Sequence, residues 1–81
     1  MYDLYVRIIS ADRKGNVRKT KTFILDTGLT KQKAITRLYK LTTEYRVKTK
    51  EGYNLMLKDN ELQVCKCLET GHWVGWIFNI K

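Results

Sequence analysis

The side chains of this chain that could do covalent chemistry are few and poorly spaced for it. Cys65, Cys67 and His72 fall together in "CKCLETGH", and thiolate and imidazole are favoured zinc ligands. Structural zinc takes four ligands, commonly with two to four residues between paired cysteines. Here one residue separates the cysteines and His72 is the only histidine, so no metal is expected. On a strand the two thiols would share a face about 6.5–7 Å apart, awkward for a disulfide, and both are expected reduced. Asp59 and Glu61 are close carboxylates, but they stand in a polar turn where solvation accounts for them. No serine or cysteine has an obvious base partner, and no glycine-rich phosphate loop occurs. The expectation is a protein that is not an enzyme and holds no cofactor.

The stronger signal is charge. The stretch "DRKGNVRKTKT" (12–22) carries Arg13, Lys14, Arg18, Lys19 and Lys21 against a single acid, Asp12. Of the protein's 16 lysines and arginines, twelve lie between residues 12 and 50, with three of its 8 acids. Solubility requires net charge but not this asymmetry, which points to an anionic partner. A two-stranded ribbon of this kind fits the DNA major groove, with one face at base edges and the flanks at phosphates. Thr20 and Thr22 add short donors, and Asn16 suits either a base contact or the turn itself. The competing reading is a solvated edge whose lysines discourage aggregation. Lys31 and Lys33 open a predicted helix, where the macrodipole is already positive; a bound phosphate there would make them favourable.

Aromatic residues form the third group. Tyr5, Trp73 and Trp76 are candidates for stacking on unpaired bases or for anchoring a protein partner. In a small domain such residues more often belong to the core.

The elements that must position these groups follow from periodicity. Tyr2–Ser10 alternates as a strand, with Tyr2, Leu4, Val6 and Ile8 on one face and Asp3, Tyr5, Arg7 and Ile9 on the other. Gly15–Asn16 suits a turn with positive φ, and Val17–Asp26 reads as the returning strand. From Thr30 to Lys48 the period changes. Ala34, Leu38, Leu41 and Tyr45 make one apolar stripe of a helix, with Thr30 as N-cap and Leu29 and Ala34 as a hydrophobic staple. Lys33, Arg37 and Lys40 share its wet face. Beyond Gly52 the strands resume: Tyr53–Leu57, Leu62–Glu69 after a turn at 58–61, and Trp73–Ile80 after a turn at 70–72. On the last, Val74, Trp76, Phe78 and Ile80 oppose Trp73, Gly75 and Ile77, so that strand is expected to be central or covered on both sides.

The sum is a single α+β domain over residues 1–81, a small antiparallel sheet with one helix packed on one face, in the order ββαβββ. A chain of 81 residues buries only about 60% of its unfolded surface, which leaves little room for a deep cleft. Hydrophobic content of 43% and nine aromatics exclude a disordered chain. The first residues lack the pattern of a signal peptide, and no run approaches a membrane span. The expected compartment is the cytoplasm, with no membrane partner.

Residues 5–45, "YVRIISADRKGNVRKTKTFILDTGLTKQKAITRLYKLTTEY", resemble the N-terminal arm-type DNA-binding domain of phage and transposon integrases. The likeness lies in a strand, a basic turn with glycine, a basic strand ending in Phe, then an amphipathic helix with a Thr-Lys start. It covers about half of the chain; the C-terminal hairpin with its two tryptophans has no counterpart. The resemblance implies a sheet that enters the major groove with the helix packed behind it. It also implies Arg7, Arg13, Lys14, Arg18, Lys19 and Lys21 as contacts over a core of Phe23, Leu38 and Leu41.

The leading expectation is therefore a nucleic-acid-binding domain, for duplex DNA ahead of RNA. Its contacts would come from Arg7, Arg13, Lys14, Asn16, Arg18, Lys19, Lys21, Lys31, Lys33 and Arg37. The alternative is a phage-type interaction module or inhibitor of a host nucleic-acid-processing complex, anchored by Tyr5, Trp73 or Trp76. A homodimer through an open strand edge is a third possibility.

Overall fold

A computed structural model describes residues 1–81, the side chain of Lys19 excepted. Strand β1 (Tyr2–Ala11) turns into β2 (Val17–Leu29), and helix α1 (Lys31–Tyr45) follows at once. A 3-10 segment (Arg46–Glu51) leads to β3 (Asn54–Lys58), β4 (Glu61–Cys67) and β5 (Trp73–Ile80). All five strands join one antiparallel sheet in the order β2-β1-β5-β4-β3. No described helix is long and apolar enough to cross a membrane.

The expectation of a small sheet carrying a helix is corrected here. The sheet is the body of the molecule: 52% of residues are strand and 26% helix. The shift comes largely from β2, which does not end at Asp26. Bulges opposite Leu4–Tyr5 and Tyr2–Leu4 let it absorb Leu25, Thr27 and Gly28 and continue to Leu29. The Asp3 carboxylate accepts the Gly28 N–H (3.1 Å), tying that extension to β1. The turn-like sequence "DTGL" is thus strand by pairing.

Helix α1 begins as its sequence demands. Thr30 caps it by accepting from the Lys33 N–H (3.2 Å), and the Ala34 N–H donates to the Thr30 carbonyl (2.9 Å). Leu29 and Ala34, the two ends of the staple, are both buried. The α-helix stops at Tyr45, and the residues expected to continue it to Lys48 tighten into the 3-10 segment, closed at Gly52.

One face of the sheet meets the helix. Ala34, Leu38 and Leu41 pack on Leu4 and Val6 of β1, Phe78 and Ile80 of β5, and Leu62 and Val64 of β4. Fifteen helical residues span only about 22 Å at 1.5 Å per residue, whereas the molecule is 40 Å long. The helix therefore leaves part of the sheet face on which it packs uncovered. Along β1 the exposure of that face rises from 0% at Leu4 and 7% at Val6 to 43% at Ile8.

The close spacing of β4 and β5 depends on Gly75. A Cβ built there would meet the Val64 carbonyl oxygen at 2.0 Å and the Cys65 Cα at 2.8 Å. Glycine in a strand interior commonly marks such a close approach.

Candidate nucleic-acid interface

The basic turn is held from within. Asp12 Oδ1 accepts the backbone N–H groups of Lys14 and Asn16, each at 2.9 Å, and the Asp12 N–H donates to the Asn16 carbonyl (2.9 Å). Gly15, at φ 83°, closes the turn in the left-handed region that its sequence predicts. The hydrogen bond from the Asn16 backbone N–H, foremost, and those from Lys14 and the Asn16 amide hold the Asp12 carboxyl below its usual range. Nearby Arg18 adds to the shift, and partial burial opposes it. Asn16 thus makes the turn; its side-chain amide points at Asp12 Oδ2 (3.5 Å).

Around this turn the cations divide by role. Arg13 Nε donates to the Thr70 carbonyl, pinning the hairpin to the β4–β5 loop. Arg18 Nε lies 3.7 Å from Asp12 while most of its side chain stays exposed. Lys14 and Lys21 form no ion pair among the described residues. Arg13, Lys14, Arg18 and His72 surround a hollow of ≈ 410 Å³ at the hairpin end. Lys19 belongs to β2 by its backbone, and its side chain, a candidate contact, lies outside the described residues.

Helix α1 does not join this cluster. Its first residue follows Leu29, which pairs with Tyr2 at the opposite end of β1. The length of β1, about 30 Å at ~3.3 Å per residue, separates Lys31 and Lys33 from the hairpin turn. Arg37 is half-buried against β2, with Nε 3.7 Å from Asp26 and no hydrogen-bond partner for that buried nitrogen. It is a strut between helix and sheet. Arg7 is exposed on the sheet face away from the helix, in register with Thr22 and Ile77.

The three candidate aromatics are also separated. Tyr5 and Trp73 lie on the face away from the helix, opposite Asn79 and Ala11 respectively, about 20 Å apart along β1. Tyr5 is half-buried under Lys81, whose Nζ is 5.8 Å from the ring centroid. Trp76 faces the helix side. It sits in one cross-strand row with Lys21, Ile8, Val64 and Leu55.

That row opens a second feature, absent from the sequence reading. Where the helix ends, a groove of ≈ 380 Å³ runs between β2 and the 3-10 segment, lined chiefly by Ile8, Ser10, Lys21, Tyr53, Val74 and Trp76. The turn at Gly52 brings Tyr53 against Trp76, ring centroids 5.4 Å apart and planes at 40°. Tyr45 meets Trp76 edge-on at 5.5 Å and Phe78 at 5.0 Å, so the wall is rooted in the core. Lysines edge this wall: Lys48 Nζ is 5.5 Å from the Trp76 centroid, and Lys66 Nζ is 5.6 Å from that of Tyr53. Lys48, Tyr53 and Lys66 were not singled out from sequence. The available signal was the alternation of Lys66 with Val64, which puts it on the face of Trp76 once β4 and β5 are paired.

Both cysteines of β4 share the face away from the helix as free thiols, Cys65 half-buried and Cys67 exposed. His72 Nδ1 lies 2.9 Å from the Thr70 hydroxyl within the β4–β5 loop.

Comparison with protein-family models, curated proteins and solved structures finds no match to this chain.

Proposed function

We propose that this protein is a nucleic-acid-binding domain without catalytic activity, contacting phosphates through the hairpin end of its sheet. The carrying observation is the clustering of Arg13, Lys14 and Arg18 round the turn, with Lys21 just behind them. Three of these four side chains have no acidic partner among the described residues. The turn is stiffened by Asp12, so little additional ordering accompanies contact. The helix start is not part of this surface, which narrows the expected contacts to the hairpin. The duplex expected from the ribbon pattern can meet the hairpin end alone, so nucleic acid remains the partner with the helix removed from it.

The test is salt-dependent binding by fluorescence anisotropy with labelled DNA and RNA. Each phosphate contact contributes about 0.9 to the log–log salt slope on duplex and about 0.7 on a single strand. Replacing Lys14, Arg18 and Lys21 by Ala should flatten the slope by roughly two to three units. Replacing Lys31 and Lys33 by Ala should leave it close to wild type. Undiminished binding by the hairpin triple variant would sink the proposal.

A second reading rests on β2, the edge strand. Phe23, Ile24 and Leu25 are consecutive and 49%, 59% and 42% exposed. A long apolar edge is a template for strand addition by a protein partner. Light scattering that shows a dimer, or a stable protein complex with no binding of naked nucleic acid, would favour this reading.

A further inference from the structure

The groove beside Trp76 has an apolar interior and a cationic rim. Ile8 and Val74 form its floor, Trp76 and Tyr53 its wall, and Ser10 a polar spot on the β1 side. Lys21 stands on the β2 side, and Lys48 and Lys66 stand over the two aromatic rings. Glu51 lies 3.4 Å from Lys48 and is the only acid paired with these three ammoniums among the described residues. A wholly apolar ligand would use the floor and leave the rim idle. A phosphate alone would use the rim and leave the rings idle. A nucleotide uses both, because its base is a flat π surface and its backbone is anionic.

We propose that this groove takes an unpaired base, which makes single-stranded nucleic acid the preferred ligand of the domain. The inference rests on the nucleic-acid reading above and deepens it. In a duplex the π faces are already stacked on their neighbours, and a double helix is far too wide for a hollow of ≈ 380 Å³. An extended strand can lay one base against Tyr53 and Trp76 while its flanking phosphates meet Lys21 on one side and Lys48 or Lys66 on the other. The same strand then continues toward Arg18 and Lys14, because the groove and the hairpin turn share one end of the sheet. The larger hollow of ≈ 590 Å³ at the helix start offers no such match. It mixes Lys31 and Lys58 with Asp59.

Trp76 reports on this directly once Trp73, exposed on the other face, is replaced by Phe. The probes are 20-nucleotide oligodeoxyuridylate and oligouridylate, which differ only in the sugar, and a 20-base-pair duplex, titrated against W73F by anisotropy and tryptophan emission. The single strands should bind at least tenfold tighter than the duplex and quench Trp76; the preferred sugar then identifies DNA or RNA. Adding Tyr53→Leu and Lys66→Ala, with folding checked by circular dichroism, should weaken single-strand binding about tenfold or more while duplex binding changes less. Equal or tighter duplex binding, no change in Trp76 emission, or single-strand binding untouched by the double variant would each overturn the groove assignment. In those cases the hairpin contact would still stand on its salt slope. Failure of every probe to bind would remove both readings together.

Discussion

The ammonium of Lys48 stands 5.5 Å from the centroid of the Trp76 ring. The two residues come from the 3-10 segment and the central strand β5, so this contact exists only because the chain after α1 turns back over the sheet. Cation–π pairs near solvent contribute about 0.5–1 kcal/mol, less than the ~1–3 kcal/mol of a stacked base. In the proposed binding mode Lys48 would therefore yield the ring to the base and keep its charge nearby for phosphate.

Removal of Lys48 should accordingly be a mild change for the fold. Its pair with Glu51 is partly exposed and adds little. Lys48→Ala is expected to cost no more than about 1 kcal/mol in urea unfolding, with a shift in tryptophan emission. A loss several times larger would mean that Lys48 holds the 3-10 segment in place.

Gly75 should tolerate nothing larger. The atoms a Cβ would strike are backbone atoms of the paired strand β4, so no rotamer change relieves the clash. Gly75→Ala is expected to destabilise by about 3 kcal/mol or more. For a domain this size that lowers the melting temperature by more than about 10 °C. A near-normal thermal melt would show that β4 and β5 can part without cost.

The hairpin turn should loosen in acid. The Asp12 carboxyl is held below its usual range by the N–H groups of Asn16 and Lys14, so the folded state favours the carboxylate. Its contribution is present above the unfolded value, about pH 4, and is lost as pH falls through the lower folded value. Amide exchange at Lys14 and Asn16 should accelerate, relative to the intrinsic rates, over that window, and Asp12→Asn should abolish the pH dependence. Protection unchanged down to pH 2 would contradict the assignment.

The two thiols should separate kinetically. Burial, and then the charge of Glu61, push the Cys65 thiol up, while Cys67 is exposed. An aromatic disulfide reagent at pH 8 should label Cys67 first and Cys65 more slowly, with both reacting together after unfolding. Equal rates in the folded protein would show that β4 opens readily.

Much of the local structure was legible because its causes lie within a few residues of chain. The alternation of Tyr2–Ser10, the Thr30 cap and the stripe Ala34–Leu38–Leu41 each follow from side-chain periodicity and short-range hydrogen bonding, and each element formed where those signals stand. Where a signal needed a partner it fell short: the strand expected to end at Asp26 runs on to Leu29 through bulged pairing with β1.

The candidate site depended on longer-range decisions. Charge counting gathered the hairpin and the helix start into one basic segment. The 10-residue length of β1 then set them at opposite ends of the sheet. Periodicity put Trp76 on the side of Phe78 and Ile80, which reads as core. Only the insertion of β5 between β1 and β4, beneath a helix too short to cover the whole face, left Trp76 beside the exposed Ile8 and Lys21 and within reach of Lys48, Tyr53 and Lys66. By itself the sequence determined the strands, the helix, its cap and the excess of positive charge, because those depend on local spacing and composition. Strand order and helix coverage decided which charges and rings share a surface, because they arise from contacts between residues far apart in the chain.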